Sequence, residues 1–280
     1  MQGVIPAGGM SPRLFRVVIW GPLKSGKTVF CATWPAPLFV HSFVESGYDT
    51  FMLPDGRLLF PTIPVGVAHT SWVETRQGKR VSEELSSMAL DLFSACRAGK
   101  PYQTLVLGGF SDLLSLVKQE ADTLFTDGQK AWGYLSDWAS RFLTVIFSLP
   151  IHVIVEVASA TKRKNRSGSV IALKPDISGK SFNLLLNKAN LILFQEALGQ
   201  GIYQTHFSRV MRADTEEKSN GILEYAFATS RILGLSFTQP VRNCSYDNLA
   251  QAIGLPGVQK LDSNHPRCVT GLWPWPHPHA

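Results

Sequence analysis

Apolar residues along this chain gather in short continuous runs separated by longer stretches of helical period. Phe15-Arg16-Val17-Val18-Ile19-Trp20, Thr104-Leu105-Val106-Leu107 and Ile151-His152-Val153-Ile154-Val155-Glu156-Val157 each predict a strand buried on both faces. Pro37-Leu38-Phe39-Val40 predicts a further, shorter strand. Between the runs the period lengthens. Over residues 82–98, Leu85, Met88, Ala89, Leu92 and Phe93 form one stripe, with Ser82 as a fair N-cap. Residues 111–126 and 130–148 predict two more helices, and Val29 to Trp34 a short one stopped by Pro35 and Pro37. Leu191–Phe194 and Tyr203–Phe207 predict a strand pair joined around Gly199-Gln200-Gly201, and Tyr225–Thr229 another strand. Residues 46–80 offer only strand-like pieces, near Leu58–Phe60 and Ser71–Val73. Strands alternating with helices predict an α/β fold with a mostly parallel central sheet flanked by helices. No internal repeat is visible.

The two ends differ from this pattern. Residues 1–13 contain Gly and Pro and predict a flexible N-terminus; 14–260 form the globular domain. Residues 261–280 carry Trp273-Pro274-Trp275-Pro276-His277-Pro278-His279 and predict a disordered tail, its histidines and Cys268 matching no metal-ligand spacing. The four cysteines show no C-x-x-C pair, as expected of thiols in a reducing compartment. Met1 to Met10 lacks the basic start and apolar core of a signal peptide, and no apolar run is long enough to span a bilayer. A soluble, cytoplasmic protein is expected. The net charge of +6 suggests only compatibility with nucleic acid.

The candidate chemistry lies between the first strand and the first helix. Gly21-Pro22-Leu23-Lys24-Ser25-Gly26-Lys27-Thr28 fits G-x-x-x-x-G-K-[ST], the phosphate-binding loop of nucleoside triphosphatases. Glycines let the backbone curl so that successive N–H groups face phosphate oxygens. Lys27 can reach the β- and γ-phosphates, and the Thr28 hydroxyl can ligate Mg²⁺. The expected binding segment is Gly21, Pro22, Leu23, Lys24, Ser25, Gly26, Lys27, Thr28 and Val29. The strand–loop–helix context is the one this motif requires. ATP and Mg²⁺ are the expected ligands.

Motif order extends the reading. A phosphate loop is followed by a short strand with an acidic group after it, a long helix, an apolar strand, a helical pair, and an apolar strand with a basic loop. Lys174-Pro175-Asp176-Ile177-Ser178-Gly179-Lys180, followed by Ala189-Asn190-Leu191-Ile192-Leu193, completes the series. Over roughly residues 14 to 255 this resembles the RecA-type ATPases, and most of all the small phage-encoded RecA-like nucleotide-binding proteins associated with recombination and single-strand annealing. The resemblance implies a RecA-like fold, homo-oligomers and, for a phage protein, the host cytoplasm.

The departures from the family pattern concern acids. The strand ending at Leu107 normally closes on an Asp that orders the Mg²⁺ shell (the Walker B role); here stand Gly108 and Gly109, with Asp112 a helical turn further on. After the second strand the family commonly has Asp-x-Glu, with Glu activating water. Here His41 takes the Asp position, and Glu45 reaches the catalytic role only after a small insertion; Glu45 as a solvated loop carboxylate is an equal reading. Lys27 and Glu45 are thus the catalytic candidates. The family's polar sensor falls near Ser159, and Asn190 stands where Asp is usual. The family's Lys-x-Arg, which reaches a neighbouring subunit's nucleotide, keeps only Arg231, with Arg209 and Arg212 as rivals.

Lys162, Arg163, Lys164 and Arg166 follow the fourth strand. By resemblance this is a DNA-contacting loop, and physically it can neutralise phosphates without reading sequence. An ordinary solvated charge run is the competing reading; no aromatic accompanies the cations. Two functions follow. One is an ATP-binding protein acting as a DNA-dependent ATPase in phage recombination or replication, with single-stranded DNA as partner. The other is a nucleotide-binding protein with little or no hydrolysis, because Gly108 replaces the metal-shell acid.

Overall fold

The computed structural model describes residues 14–43, 65–69, 80–98, 102–177, 179–213, 222–232, 235, 237 and 239–255. In chain order the elements are β1 (Arg16–Gly21), α1 (Lys27–Ala32), β2 (Leu38–Ser42), β3 (Val65–His69), α2 (Val81–Arg97), β4 (Thr104–Gly108), α3 (Phe110–Leu124) and α4 (Gly128–Ser148). Then come β5 (His152–Lys164), β6 (Val170–Pro175), α5 (Gly179–Lys188), β7 (Leu191–Gly199) and β8 (Ile202–His206). The chain continues through β9 (Val210–Ala213), β10 (Ile222–Ala226), β11 (Thr229–Ser230), β12 (Val241–Arg242) and α6 (Tyr246–Ala252).

The central sheet runs β12-β8-β7-β1-β5-β4-β2-β3, with β11 added on β7 and β6 on β5. Strands β7, β1, β5, β4, β2 and β3 are mutually parallel; β8, β12, β11 and β6 pair antiparallel. This is the α/β arrangement expected from the sequence, a mostly parallel central sheet flanked by helices, with β5 lodged between β1 and β4. The apolar runs form strands here because both faces are covered. On one face Val18, Trp20, Leu105, Leu107, Val153 and Val155 pack under α2, α3, α4 and α5. On the other, Val17, Ile19, Val106, Ile154 and Leu193 pack under α1 and α6. Each fully buried aliphatic side chain contributes about 1.5–3 kcal/mol over leaving it wet. Trp20, completely buried, satisfies its indole N–H on the Phe227 carbonyl at 2.8 Å.

The helix expected over 82–98 is α2, and those over 111–126 and 130–148 are α3 and α4, each within two or three residues at its ends. Four features were not anticipated. Strand β5 does not stop at Val157 but continues to Lys164 and folds back as β6. Val65–His69 forms β3 at the sheet edge, paired in parallel with β2. β9 and β10 make a separate hairpin, so the strand expected over Tyr225–Thr229 is divided between β10 and β11. Helix α6 docks by Tyr246, Leu249 and Ala250. Residues 1–13, 261–280 and the strand-like pieces near 58–60 and 71–73 lie outside the described residues. Among the described residues no helix is long and apolar enough to cross a membrane.

Candidate functional site

At the C-terminal ends of the parallel strands the α1 face of the sheet changes character. Two residues beyond Ile19, Val40, Val106, Ile154 and Leu193 stand Gly21, Ser42, Gly108, Glu156 and Gln195. Side chains alternate across a strand, so these five share one face with the apolar residues before them. Ser42, Glu156 and Gln195 are nonetheless buried. A polar rim thus closes the apolar face directly under the loop between β1 and α1.

That loop is shaped by its glycines. A Cβ on Gly21 would sit 2.0 Å from the Gln195 carbonyl oxygen, so nothing larger fits. Gly26 has φ +81°, the left-handed region, and a Cβ there would fall 2.5 Å from the Tyr203 ring, which β8 lays against the loop. Leu23 and Lys24 point outward, whereas Ser25 is buried. The Ser25 N–H donates to the Pro22 carbonyl at 3.3 Å, and Phe30 N–H to the Gly26 carbonyl at 3.0 Å. Helix α1 begins within the motif at Lys27, two residues earlier than the sequence suggests, and is six residues long. The Lys27 ammonium donates to the Gly21 carbonyl (3.1 Å), the Pro22 carbonyl (2.8 Å) and Ser25 Oγ (3.4 Å). Burial lowers its pKa, and nearby Glu156 and then Cys31 raise it again.

Glu156 is the site residue that sequence reasoning missed. Its Oε2 lies 3.5 Å from the Thr28 hydroxyl, at the limit of a hydrogen bond, and its Oε1 accepts from the Cys31 thiol at 3.0 Å. Burial pushes its carboxyl pKa up; the Cys31 thiol, the Lys27 charge and the Thr28 hydroxyl draw it back down. The Cys31 thiol is itself held well above its usual range, first by burial and then by the neighbouring carboxylate, so it serves as a donor. A sequence signal was present. Glu156 is the one acid inside an apolar strand run, two positions after inward-facing Ile154.

The other candidates are placed as follows. Gly108 ends β4, and α3 starts at Phe110 from a left-handed Gly109 (φ +74°). Asp112 therefore stands in the first turn of α3, its pKa raised by burial and by Asp176, and the chain does not fold back there. His41 is buried and stacked on Phe43, with ring centroids 4.6 Å apart. Glu45 lies outside the described residues. Ser159 pairs with Pro175, just past the Gly21–Ala158 register. Arg231 sits beside Asn190 at the opposite, N-terminal end of β7, donating to the Asn187 carbonyl at 3.2 Å. Arg212 is engaged within its own chain, bonding Glu196 at 2.9 Å and covering the Tyr225 ring at 3.5 Å. Arg209 lies over Phe227 and 3.8 Å from Glu224.

Lys162, Arg163, Lys164 and Arg166 are not on a plain loop. They occupy the outer end of β5 and the turn into β6. Asn165 organises that turn: its side-chain oxygen accepts from the Ser169 N–H (2.8 Å) and the Ser167 hydroxyl (2.7 Å), and Gly168 takes φ +83°. Because β5 passes Gly21 in register at Ala158, the hairpin projects from the same end of the sheet as the phosphate loop.

A curled, glycine-shaped loop, a lysine held inside it and a hydroxyl at the following helix define the P-loop ATPases. A protein-family model described as an AAA domain matches residues 14–221, three quarters of the sequence, and the chain belongs to that family. Among solved structures it is similar to the flagellar accessory protein FlaH from Methanocaldococcus jannaschii, at 10% identity over 81% of this chain and 83% of that one, with a TM-score of 0.37. No curated protein matches.

The residues present fit nucleotide and metal. Gly21 and Gly26 let the loop close against the Gln195 carbonyl and the Tyr203 ring, where no Cβ fits, so the curled backbone the motif needs is kept, and the Thr28 hydroxyl has a carboxylate beside it. Among the described residues no cluster of three or more His, Cys, Asp or Glu side chains could hold a metal by itself.

Proposed function

We propose that the chain binds ATP with Mg²⁺ at residues Gly21 to Val29 and acts as a DNA-dependent ATPase in recombination or replication. The observation that carries this is the phosphate loop and the basic hairpin projecting from one end of one sheet. The loop N–H groups and Lys27 bind and orient the phosphates, and Thr28 offers its hydroxyl to Mg²⁺. Bound Mg²⁺ supplies charge neutralisation at the β- and γ-phosphates. Lys162, Arg163, Lys164 and Arg166 meet the phosphates of single-stranded DNA. In a homo-oligomer Arg231 faces a neighbour's nucleotide; its position at the far end of the sheet suits that role and no other at its own site. Glu45 orients the attacking water. A phage setting rests on the family resemblance.

A second reading is supported by Gly108: a nucleotide-binding protein with little or no hydrolysis. One experiment separates them. ATP binding and turnover are measured with and without single-stranded DNA, in wild type, in Lys27→Ala and with the four hairpin cations replaced by Ser. The first reading expects turnover that DNA stimulates, lost in Lys27→Ala. It also expects DNA affinity in the hairpin variant whose salt slope is shallower by about 3, at ~0.7 per cation removed. Binding without turnover selects the second reading. Turnover that survives Lys27→Ala removes the site assignment altogether.

A further inference from the structure

We propose that Glu156 supplies, from β5, the carboxylate missing at Gly108, and that it orders the Mg²⁺ shell beside Thr28 when nucleotide binds. The proposal rests on the nucleotide-binding reading of the phosphate loop and adds a residue that the motif does not contain.

Strand order makes the substitution geometrically direct. β5 lies between β1 and β4, about 4.8 Å from each. Gly108 and Glu156 are neighbours in register, one step past the Leu107–Val155 pair, and they share the α1 face. A Cβ on Gly108 would lie 3.7 Å from Glu156 Oε2, in ordinary contact. The Glu156 carboxylate thus ends beside the place from which a side chain at 108 would start. Glycine at 108 leaves the longer acid that room, and an acid at both positions would set two carboxylates against each other.

The donors around Glu156 argue that it is more than a buried staple. Glu120, the other buried carboxylate among the described residues, shows what a staple looks like. It accepts from the Ser82 N–H at 3.0 Å, the Ser82 hydroxyl at 2.5 Å and the Tyr134 hydroxyl at 2.8 Å, tying α2, α3 and α4 together. Glu156 has a thiol, a weak donor, a hydroxyl at 3.5 Å and the charge of Lys27, whose own hydrogen bonds go to Gly21, Pro22 and Ser25. Burying a carboxylate with fewer and weaker hydrogen bonds than Glu120 has is costly. Yet the fold places it next to the one side chain of the motif that ligates metal. On the same rim Gln195 is 2% exposed and its Oε1 has no partner among the described residues. The rim is polar where packing alone would favour apolar side chains.

The test is a transfer of the acid between strands. Affinity for ATP is measured by calorimetry with Mg²⁺ and with EDTA, and the ratio gives the metal's contribution. Mn²⁺ paramagnetic resonance of the nucleotide complex reports the metal's surroundings directly. In Glu156→Gln the EDTA affinity stays within about twofold of wild type, while the Mg²⁺ enhancement falls on the order of tenfold or more. The double variant Gly108→Asp with Glu156→Gln regains most of the enhancement and a wild-type-like Mn²⁺ spectrum. Cys31→Ala, which removes only the thiol contact, retains the enhancement. An undiminished Mg²⁺ enhancement in Glu156→Gln overturns the proposal. So does a loss that Cys31→Ala reproduces and Gly108→Asp does not repair, since that is the signature of a packing role. Wild type that binds no ATP under either condition overturns the nucleotide reading itself.

Discussion

The two ends of the central sheet both bury polar side chains, but they treat them differently. At the N-terminal end, Arg16 donates to the carbonyls of Phe147 (2.6 Å), Leu149 and Ile151, and burial lowers its pKa to about 10. Asn190 accepts from the Arg16 N–H at 2.8 Å and donates to the Leu14 carbonyl at 3.0 Å. The His152 Nδ1 accepts from the Phe15 N–H at 3.1 Å, within a ring cluster of Phe15, Trp34 and Tyr246. Each partner there belongs to the fold itself, although the buried Trp34 Nε1 in that ring cluster has no hydrogen-bond partner among the described residues. At the C-terminal end, Glu156 and Gln195 are more deeply buried and poorly partnered, beneath a loop whose glycines pack closely against Gln195 and Tyr203. Polar groups satisfied from within stabilise a structure; buried polar groups short of partners cost stability and call for an explanation, which the proposed nucleotide and metal would supply at this end.

Substitutions can break this contrast. The largest effect is expected for Gly21→Ala. Its Cβ would meet a backbone carbonyl at 2.0 Å, which cannot move without displacing β7. A loss of about 3 kcal/mol or more in urea unfolding, together with loss of nucleotide binding, is expected; wild-type affinity in this variant would contradict the loop geometry. Asn190→Ala removes two hydrogen bonds at the opposite end and leaves the Arg16 N–H without its acceptor. It should cost about 2 kcal/mol while nucleotide affinity stays within a factor of two.

His152 sharpens the contrast through pH. Burial first, and then Arg16, hold its pKa down at about 4 in the fold. The unfolded chain therefore binds the proton more readily, and protonation favours unfolding. The stability this group permits is complete above the ordinary histidine value and is lost as pH falls from about 6.5 toward 4. At pH 5 the loss should approach ~2 kcal/mol relative to pH 8. In His152→Gln, whose amide oxygen can still accept, the pH dependence of the urea midpoint should be flatter than in wild type. The smallest effect is expected for Asp112→Asn. If Glu156 holds the metal shell, the Mg²⁺ enhancement of ATP binding in this variant stays within twofold of wild type; a clear loss would return the role to α3.

Much of this molecule is legible in its sequence, for physical reasons that also mark where legibility ends. The runs Phe15–Trp20, Thr104–Leu107 and Ile151–Val157 announce buried strands because a two-sided parallel sheet requires continuous apolarity. The phosphate loop is legible because its work depends on backbone curvature at fixed glycines. Val65–His69 hides because a five-residue edge strand needs a partner more than a pattern. The basic segment after Val157 looks like a loop, since its polarity is that of solvent; as a hairpin it draws order from β6. Glu156 escaped because motif reading looks for an acid at the end of a particular strand. The site asks only for a carboxylate at a particular point in space, and strand neighbours far apart in sequence can supply it.

Strand β5 reaches from Glu156, beneath the phosphate loop, to Lys164 at the basic turn. Eight steps of extended chain span about 26 Å. The acid and the cations are thus eight residues apart on one strand, which is paired between β1 and β4 at Val155 and with β6 alone at Lys164. The pairing register shifts between Thr161 and Lys164, and such irregularities bend a strand, so the direction of the basic turn is set by that local kink and not by the parallel sheet.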